Sequence, residues 1–204
     1  VPRLLAISDR SSLGEELPAW LRRLVAAGLR AVQLREKDLA DGDLLALART
    51  ARTVAPPPVT LLVNGRLDVA LAAGADGVHL PAAGLPAGPL RALAGRHGWA
   101  PLVGRSTHTL VEVVAARDEG VDYVTFGPVF ASPGKGPAVG LAALAVAARQ
   151  GVPVLALGGV GRGEVGAVAA TGAWGLAGIR CFRDPEAAAE LVALAGRAFA
   201  PAPP

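Results

Sequence analysis

The sequence predicts a single-domain (β/α)8 barrel spanning residues 1–204, on three observations. Eight short apolar runs alternate with eight segments of helical spacing, the repeating units are even in size, and the last helical segment reaches nearly to the end of the chain. A doubly wound open sheet fits less well, because its units need not be so uniform.

The strand-like runs cover 4–8, 31–35, 60–64, 77–80, 102–106, 123–127, 153–158 and 174–179. They are apolar and mostly unalternating, as strands buried on both faces must be. Helical spacing covers 15–27, 41–54, 67–73, 86–96, 110–119, 141–150, 163–171 and 185–199. Gly28, Gly74, Gly120, Gly151 and Gly172 fall just past these segments, where a left-handed cap suits glycine. Asp184-Pro185 sets a capping carboxylate before a proline suited to a first helical turn. Residues 55–58, Ala-Pro-Pro-Pro, read as a turn into the third strand, and Pro201 to Pro204 as a frayed tail.

Composition narrows the function classes. The formal charge is +3, from 20 Lys and Arg against 17 Asp and Glu scattered among one another, so no basic stripe marks a nucleic-acid partner. Aromatic residues make up only 4% of the chain, which leaves few platforms for stacking bases. The lone Cys181 cannot close an internal disulfide, and no apolar run has membrane-spanning length, so a cytoplasmic protein without a membrane partner is expected. Assembly into a homo-oligomer stays open.

In a parallel β/α protein the chemistry sits where strands stop, and here nearly every apolar run ends in polar residues or glycine. Gln33, Arg35 and Lys37 share one face by period-two alternation and can meet a common anion. Asn64-Gly65-Arg66 offers an amide for a ring or phosphate, or simply a turn. His79 closes the fourth run. Ser106, Thr107 and His108 close the fifth, where a phosphate site, a proton shuttle and helix capping are all open readings. No Asp or Glu completes a hydrolase triad around Ser106.

The longest irregular stretch, 128–138, carries Ser132-Pro133-Gly134-Lys135-Gly136, a cation on a glycine-flanked loop and so a candidate lid. Gly158-Gly159 and Gly178-Ile179-Arg180 close the last two runs, where backbone N–H groups and a cation suit a phosphate. The chain has no Cys/His ligand set, and Asp9, Glu36 and Asp38 are not spaced like a metal cage. Any Mg²⁺ would take most of its coordination from a substrate pyrophosphate.

These motifs, in this order, resemble the thiamin phosphate synthase and TenI superfamily over nearly the whole chain. The matching stretches are Val32 to Lys37, Asp76 to Leu80, Gly104 to His108, Asp122 to Phe130 and Ala156 to Val160. The resemblance implies a barrel that binds a small-molecule thiazole phosphate. In the synthase branch it also implies a pyrimidine pyrophosphate with Mg²⁺, held at positions matching Gln33, Arg35, Lys37, Asn64, Ser106 and Lys135. The thiazole phosphate would meet Ser132, Gly134, Gly158, Gly159, Ile179 and Arg180.

Two departures turn the resemblance toward the TenI-like branch. The synthase pattern has an Asp directly after the Asn64 position and a Gly-Gln-x-Asp run after His79-Leu80; this chain has Gly65 and Pro81-Ala82-Ala83-Gly84. The leading expectation is therefore a cofactor-free thiazole tautomerase, with Mg²⁺ only if the chain is a synthase. The tautomerase pattern carries its catalytic His where this chain has Pro128, so His108 or His79 would transfer the proton. A thiamin phosphate synthase is the alternative enzyme, and a thiazole-phosphate-binding regulatory or accessory protein without catalysis the alternative of a different class.

Overall fold

The computed structural model describes residues 1–199; the tail at 201–204 lies outside them. Eight strands form a closed, all-parallel barrel in sequence order: β1 Leu4–Ile7, β2 Ala31–Leu34, β3 Thr60–Asn64, β4 Gly77–Leu80, β5 Leu102–Thr107, β6 Tyr123–Phe126, β7 Val154–Leu157 and β8 Gly175–Gly178. β8 pairs with β1 through Leu4 and Leu176, which closes the ring. The (β/α)8 expectation therefore holds.

The helices are α1 Leu17–Ala26, α2 Asp41–Val54, α3 Leu67–Ala72, α4 Ala87–Gly95, α5 Leu110–Asp118, α6 Gly140–Ala147, α7 Val165–Ala169 and α8 Pro185–Ala198. α7 is only 5 residues long and is preceded by a 3-10 turn at Arg162–Glu164, so the seventh helical segment is shorter than its spacing predicts. The glycines expected as caps adopt left-handed φ, from 64° at Gly74 to 99° at Gly28. The Asp184 side chain accepts from Ala187 N, the expected cap of α8.

Alternation along each strand sends one set of side chains outward and the other inward. Outward-facing Val32, Leu61, Val63, Val78, Val103 and Phe126 pack with the buried faces of the helices in the main core. α1 shows the matching pattern, burying Leu17, Trp20, Leu21 and Leu24 at helical spacing. Trp20 Nε1 also donates to the Phe182 carbonyl at 2.8 Å, fastening α1 to the segment after β8.

Inward-facing Leu5, Ile7, Ala31, Leu62, Tyr123, Leu155 and Ala177 fill the barrel itself. Moving two residues toward the strand ends on the same inner face, this plug gives way to Gln33, Asn64 and Ser106, with Arg35, Lys37 and His108 beyond. The apolar plug is thus the floor on which a polar site stands.

Candidate active site

A cavity of about 860 Å³ opens at the carboxyl ends of the strands. Its size and mixed lining suit one or two small ligands. Of the residues expected to act in catalysis or to bind the two ligands, all line it except Gly134. Gly134 belongs to the same loop but does not face the cavity, where its neighbours Pro133 and Lys135 do.

The β2 end works as period-two alternation predicts, sending Gln33, Arg35 and Lys37 into the cavity together. Gln33 is 1% exposed; its Nε2 donates to Asn64 Oδ1 at 3.0 Å, and its Oε1 is buried without a partner among the described residues. An amide oxygen left bare in a binding cavity is costly unless a ligand donor meets it.

The opposite faces of the same segments are fully engaged. Glu36 accepts from the Ser8 hydroxyl and from Arg10 N at 3.0 Å, so its carboxylate braces the β1 and β2 ends instead of facing a ligand. Arg66 is paired with Asp68 at 2.7 Å and with Asp41, which holds the carboxylates near the Asn64 turn outside the cavity.

His79, Ser106 and Tyr123 form a hydrogen-bonded chain beneath the cavity. His79 Nε2 lies 2.9 Å from Ser106 Oγ, and its Nδ1 lies 3.0 Å from the Tyr123 hydroxyl. The ring is 2% exposed, and burial, aided by the charge of Arg105, pushes its pKa down to about 3. Neither nitrogen is free to carry a substrate proton, which argues against the catalytic role expected of His79. Thr109 caps α5 through the Glu112 backbone, a task the sequence left open to Ser106 or Thr107. Ser106 is thereby left to the cavity.

His108 differs. Its Nδ1 lies 2.6 Å from the Gly127 carbonyl oxygen, which can only accept, so Nδ1 carries a hydrogen and Nε2 is the ring nitrogen left to face the cavity.

The loop after β6, the candidate lid, begins as an extension of the sheet, with Val129 N donating to Leu157 O at 2.8 Å and Phe130 N to Gly158 O at 3.0 Å. The approach is so close that a Cβ on Gly158 would sit 2.6 Å from Pro128 and one on Gly159 2.7 Å from the Ala131 carbonyl. Both glycines also have positive φ, 93° and 64°, so their bareness serves loop contact as well as ligand access. Arg180 Nη2 reaches across to Ser132 Oγ at 3.2 Å, which joins the end of β8 to the lid.

Asp9, Glu164 and Arg183 also line the cavity and were not among the expected ligand residues. Asp9 accepts from Ser11 at 2.9 Å and faces Arg183 at 3.4 Å, and hydrogen bonding to Ser12 leads the effects holding its pKa low. Glu164 Oε2 accepts from Gly161 N at 2.9 Å. Position after a strand end was the available signal for Asp9; nothing in the sequence marked Arg183.

The Mg²⁺ that the resemblance attaches to the synthase branch finds no matching donor set. Among the described residues no group of three or more His, Cys, Asp or Glu is placed to hold a metal ion, and the cavity carboxylates are occupied as described. Gly65 stands where the synthase pattern has Asp, so this turn brings no carboxylate to the cavity.

A family model described as thiamine monophosphate synthase matches residues 4–182. The chain is 45% identical over 183 residues to the thiamine-phosphate synthase of Anaeromyxobacter dehalogenans, covering 86% of this chain and 81% of that one. It is 38% identical over 188 residues to a putative thiamine-phosphate synthase 2 of Aquifex aeolicus, covering 90% and 99%. A solved thiamine phosphate pyrophosphorylase from Pyrococcus furiosus superposes with TM-score 0.86 at 28% identity, covering 97% and 96%. Among the described residues no helix is long and apolar enough to cross a membrane.

Proposed function

The chain belongs to the thiamine monophosphate synthase and TenI family, a family of thiamin biosynthesis, and we propose that it acts as a thiamin phosphate synthase. This reverses the order of the two enzyme readings drawn from the sequence. The observation that carries it is that cavity cations come from separate strand ends, Arg35 and Lys37 after β2 and Arg180, hydrogen-bonded to Ser132, after β8, with Lys135 on the loop after β6 and Arg183 paired to Asp9. Two anion sites suit two phosphorylated substrates, where a tautomerase needs one.

In this reading the pyrimidine ring lies over Gln33 and Asn64, its amino group donating to the bare Gln33 Oε1. Its pyrophosphate faces Arg35, Lys37 and Ser106, with Lys135 above. The bond between the pyrimidine methylene carbon and the pyrophosphate oxygen ionises, the electron pair leaving with pyrophosphate. The thiazole nitrogen then gives its lone pair to that carbon. The cations favour this step because charge concentrates on the leaving group as the bond breaks.

The thiazole phosphate would occupy the cradle of Gly158, Gly159, Ile179 and Arg180 under Ser132. With the donor set unsuited to a protein-held metal, neutralisation falls to these side chains. Tautomerase activity would have to rest on His108 Nε2, the one ring nitrogen of the cavity histidines without a protein partner among the described residues. Incubation with both substrates, reading thiamin phosphate, tests the proposal.

A further inference from the structure

The register of three neighbouring strands sets His79 beside Gly104 and Gly104 beside Tyr123. A Cβ on Gly104 would sit 2.1 Å from Tyr123 Cζ, so the ring passes over a bare backbone to reach His79. Ser106 follows two residues along the same inner face of β5. This arrangement holds a tyrosine hydroxyl, an imidazole and a serine hydroxyl in one line, ending at the cavity.

The direction of that line follows from counting hydrogens. Tyr123 is 0% exposed, and His79 Nδ1 is the sole hydrogen-bond partner of its hydroxyl among the described residues. If Nδ1 carried the hydrogen, the phenolic O–H would be buried with no acceptor, an arrangement proteins avoid. Nδ1 therefore accepts. A neutral ring must then carry its hydrogen on Nε2, which donates to Ser106 Oγ. Ser106 Oγ has no other partner among the described residues, so its own hydrogen is free for the cavity.

We infer that Tyr123 and His79 are positioning residues that turn Ser106 into an obligate hydrogen-bond donor toward an anionic ligand oxygen. The opposite direction would leave Ser106 presenting lone pairs to that oxygen, a repulsive contact. The inference rests on the proposed reading only in taking the ligand at Ser106 to be a phosphate or pyrophosphate.

The test combines a spectroscopic signature with binding of inorganic pyrophosphate by calorimetry. Nitrogen-15 shifts of the His79 ring should show Nε2 protonated and Nδ1 bare in the native protein, and Tyr123→Phe should shift this toward a mixture of tautomers. Ser106→Ala should weaken pyrophosphate binding about tenfold, and Tyr123→Phe about threefold. Tyr123→Phe should add nothing in a protein that already carries Ser106→Ala, because it acts through that hydroxyl.

A native His79 protonated on Nδ1 would overturn the inference, as would equal losses from Tyr123→Phe with and without Ser106. His79→Gln is the second variant if Tyr123→Phe does not fold, and its effect should likewise vanish in the Ser106→Ala background. Failure of pyrophosphate to bind the native protein would count against the synthase reading, while the tautomer would still decide the direction of the line.

Discussion

Arg180 Nη2 and Ser132 Oγ, 48 residues apart in sequence, meet at 3.2 Å and fasten the lid to the end of β8. A phosphate entering between the glycine pair and this guanidinium would find a donor already oriented by its neighbour. Arg180→Ala should raise KM for the thiazole phosphate about ten- to a hundredfold, the range for a charged hydrogen bond. Arg180→Lys should recover only part of that loss, because a point charge cannot hold Ser132 and phosphate as a fork does. Steady-state kinetics with the thiazole phosphate varied will measure both.

Lys135 lines the cavity from the loop after β6 and has no ion-pair partner among the described residues. If it stabilises departing pyrophosphate, Lys135→Ala should lower kcat about a hundredfold, comparable to removing one preorganised donor from a transition state. KM should move less. The reverse pattern, a raised KM with unchanged kcat, would show uniform binding instead.

Burial depresses the His79 pKa from 6.5 to about 3. Below pH 6.5 the unfolded chain takes up a proton that the folded chain refuses, so stability is present above 6.5 and is lost as pH falls toward 3. One proton corresponds to about 1.4 kcal/mol per pH unit through that window. Urea unfolding at pH 6.5 and 5, where most carboxylates remain ionised, should show this slope. His79→Gln should remove it, and an unchanged slope would assign the effect elsewhere.

Gly104 has no room for a side chain, since a Cβ would meet the Tyr123 ring at 2.1 Å and its hydroxyl at 2.4 Å. Gly104→Ala should cost about 1–3 kcal/mol by overpacking, and it should displace the Tyr123 hydroxyl from His79. Thermal unfolding measures the first effect and His79 nitrogen shifts the second. Gly88→Ala, at an α4 position where nothing lies within 4 Å, serves as the control and should not destabilise.

The strand ends could be read in advance because their punctuation is local. Gln33, Arg35 and Lys37 alternate into the cavity as their spacing requires, and the cap glycines need only their own φ. His79 could not be read the same way. Its partners come from β5 and β6 through a three-strand register, and only that register reveals a sealed imidazole where the sequence offers a proton carrier.

Arg105 is a second case. It points outward, pairs with Glu119 at 3.0 Å and donates to the Leu85 carbonyl at 2.5 Å, so it braces the β4–α4 loop. Its neighbours in sequence, Gly104 and Ser106, face inward and gave no sign of this. Gly134, a ligand contact by resemblance, does not line the cavity, because the loop presents its neighbours Pro133 and Lys135 there instead.

The most direct test supplies the purified protein with pyrimidine pyrophosphate and thiazole phosphate, with and without Mg²⁺, and follows thiamin phosphate together with released pyrophosphate. The account predicts both products in equal amounts, diminished by Lys135→Ala and Arg180→Ala. Absence of thiamin phosphate under both conditions, with accelerated interconversion of carboxythiazole phosphate isomers that His108→Ala abolishes, would contradict it.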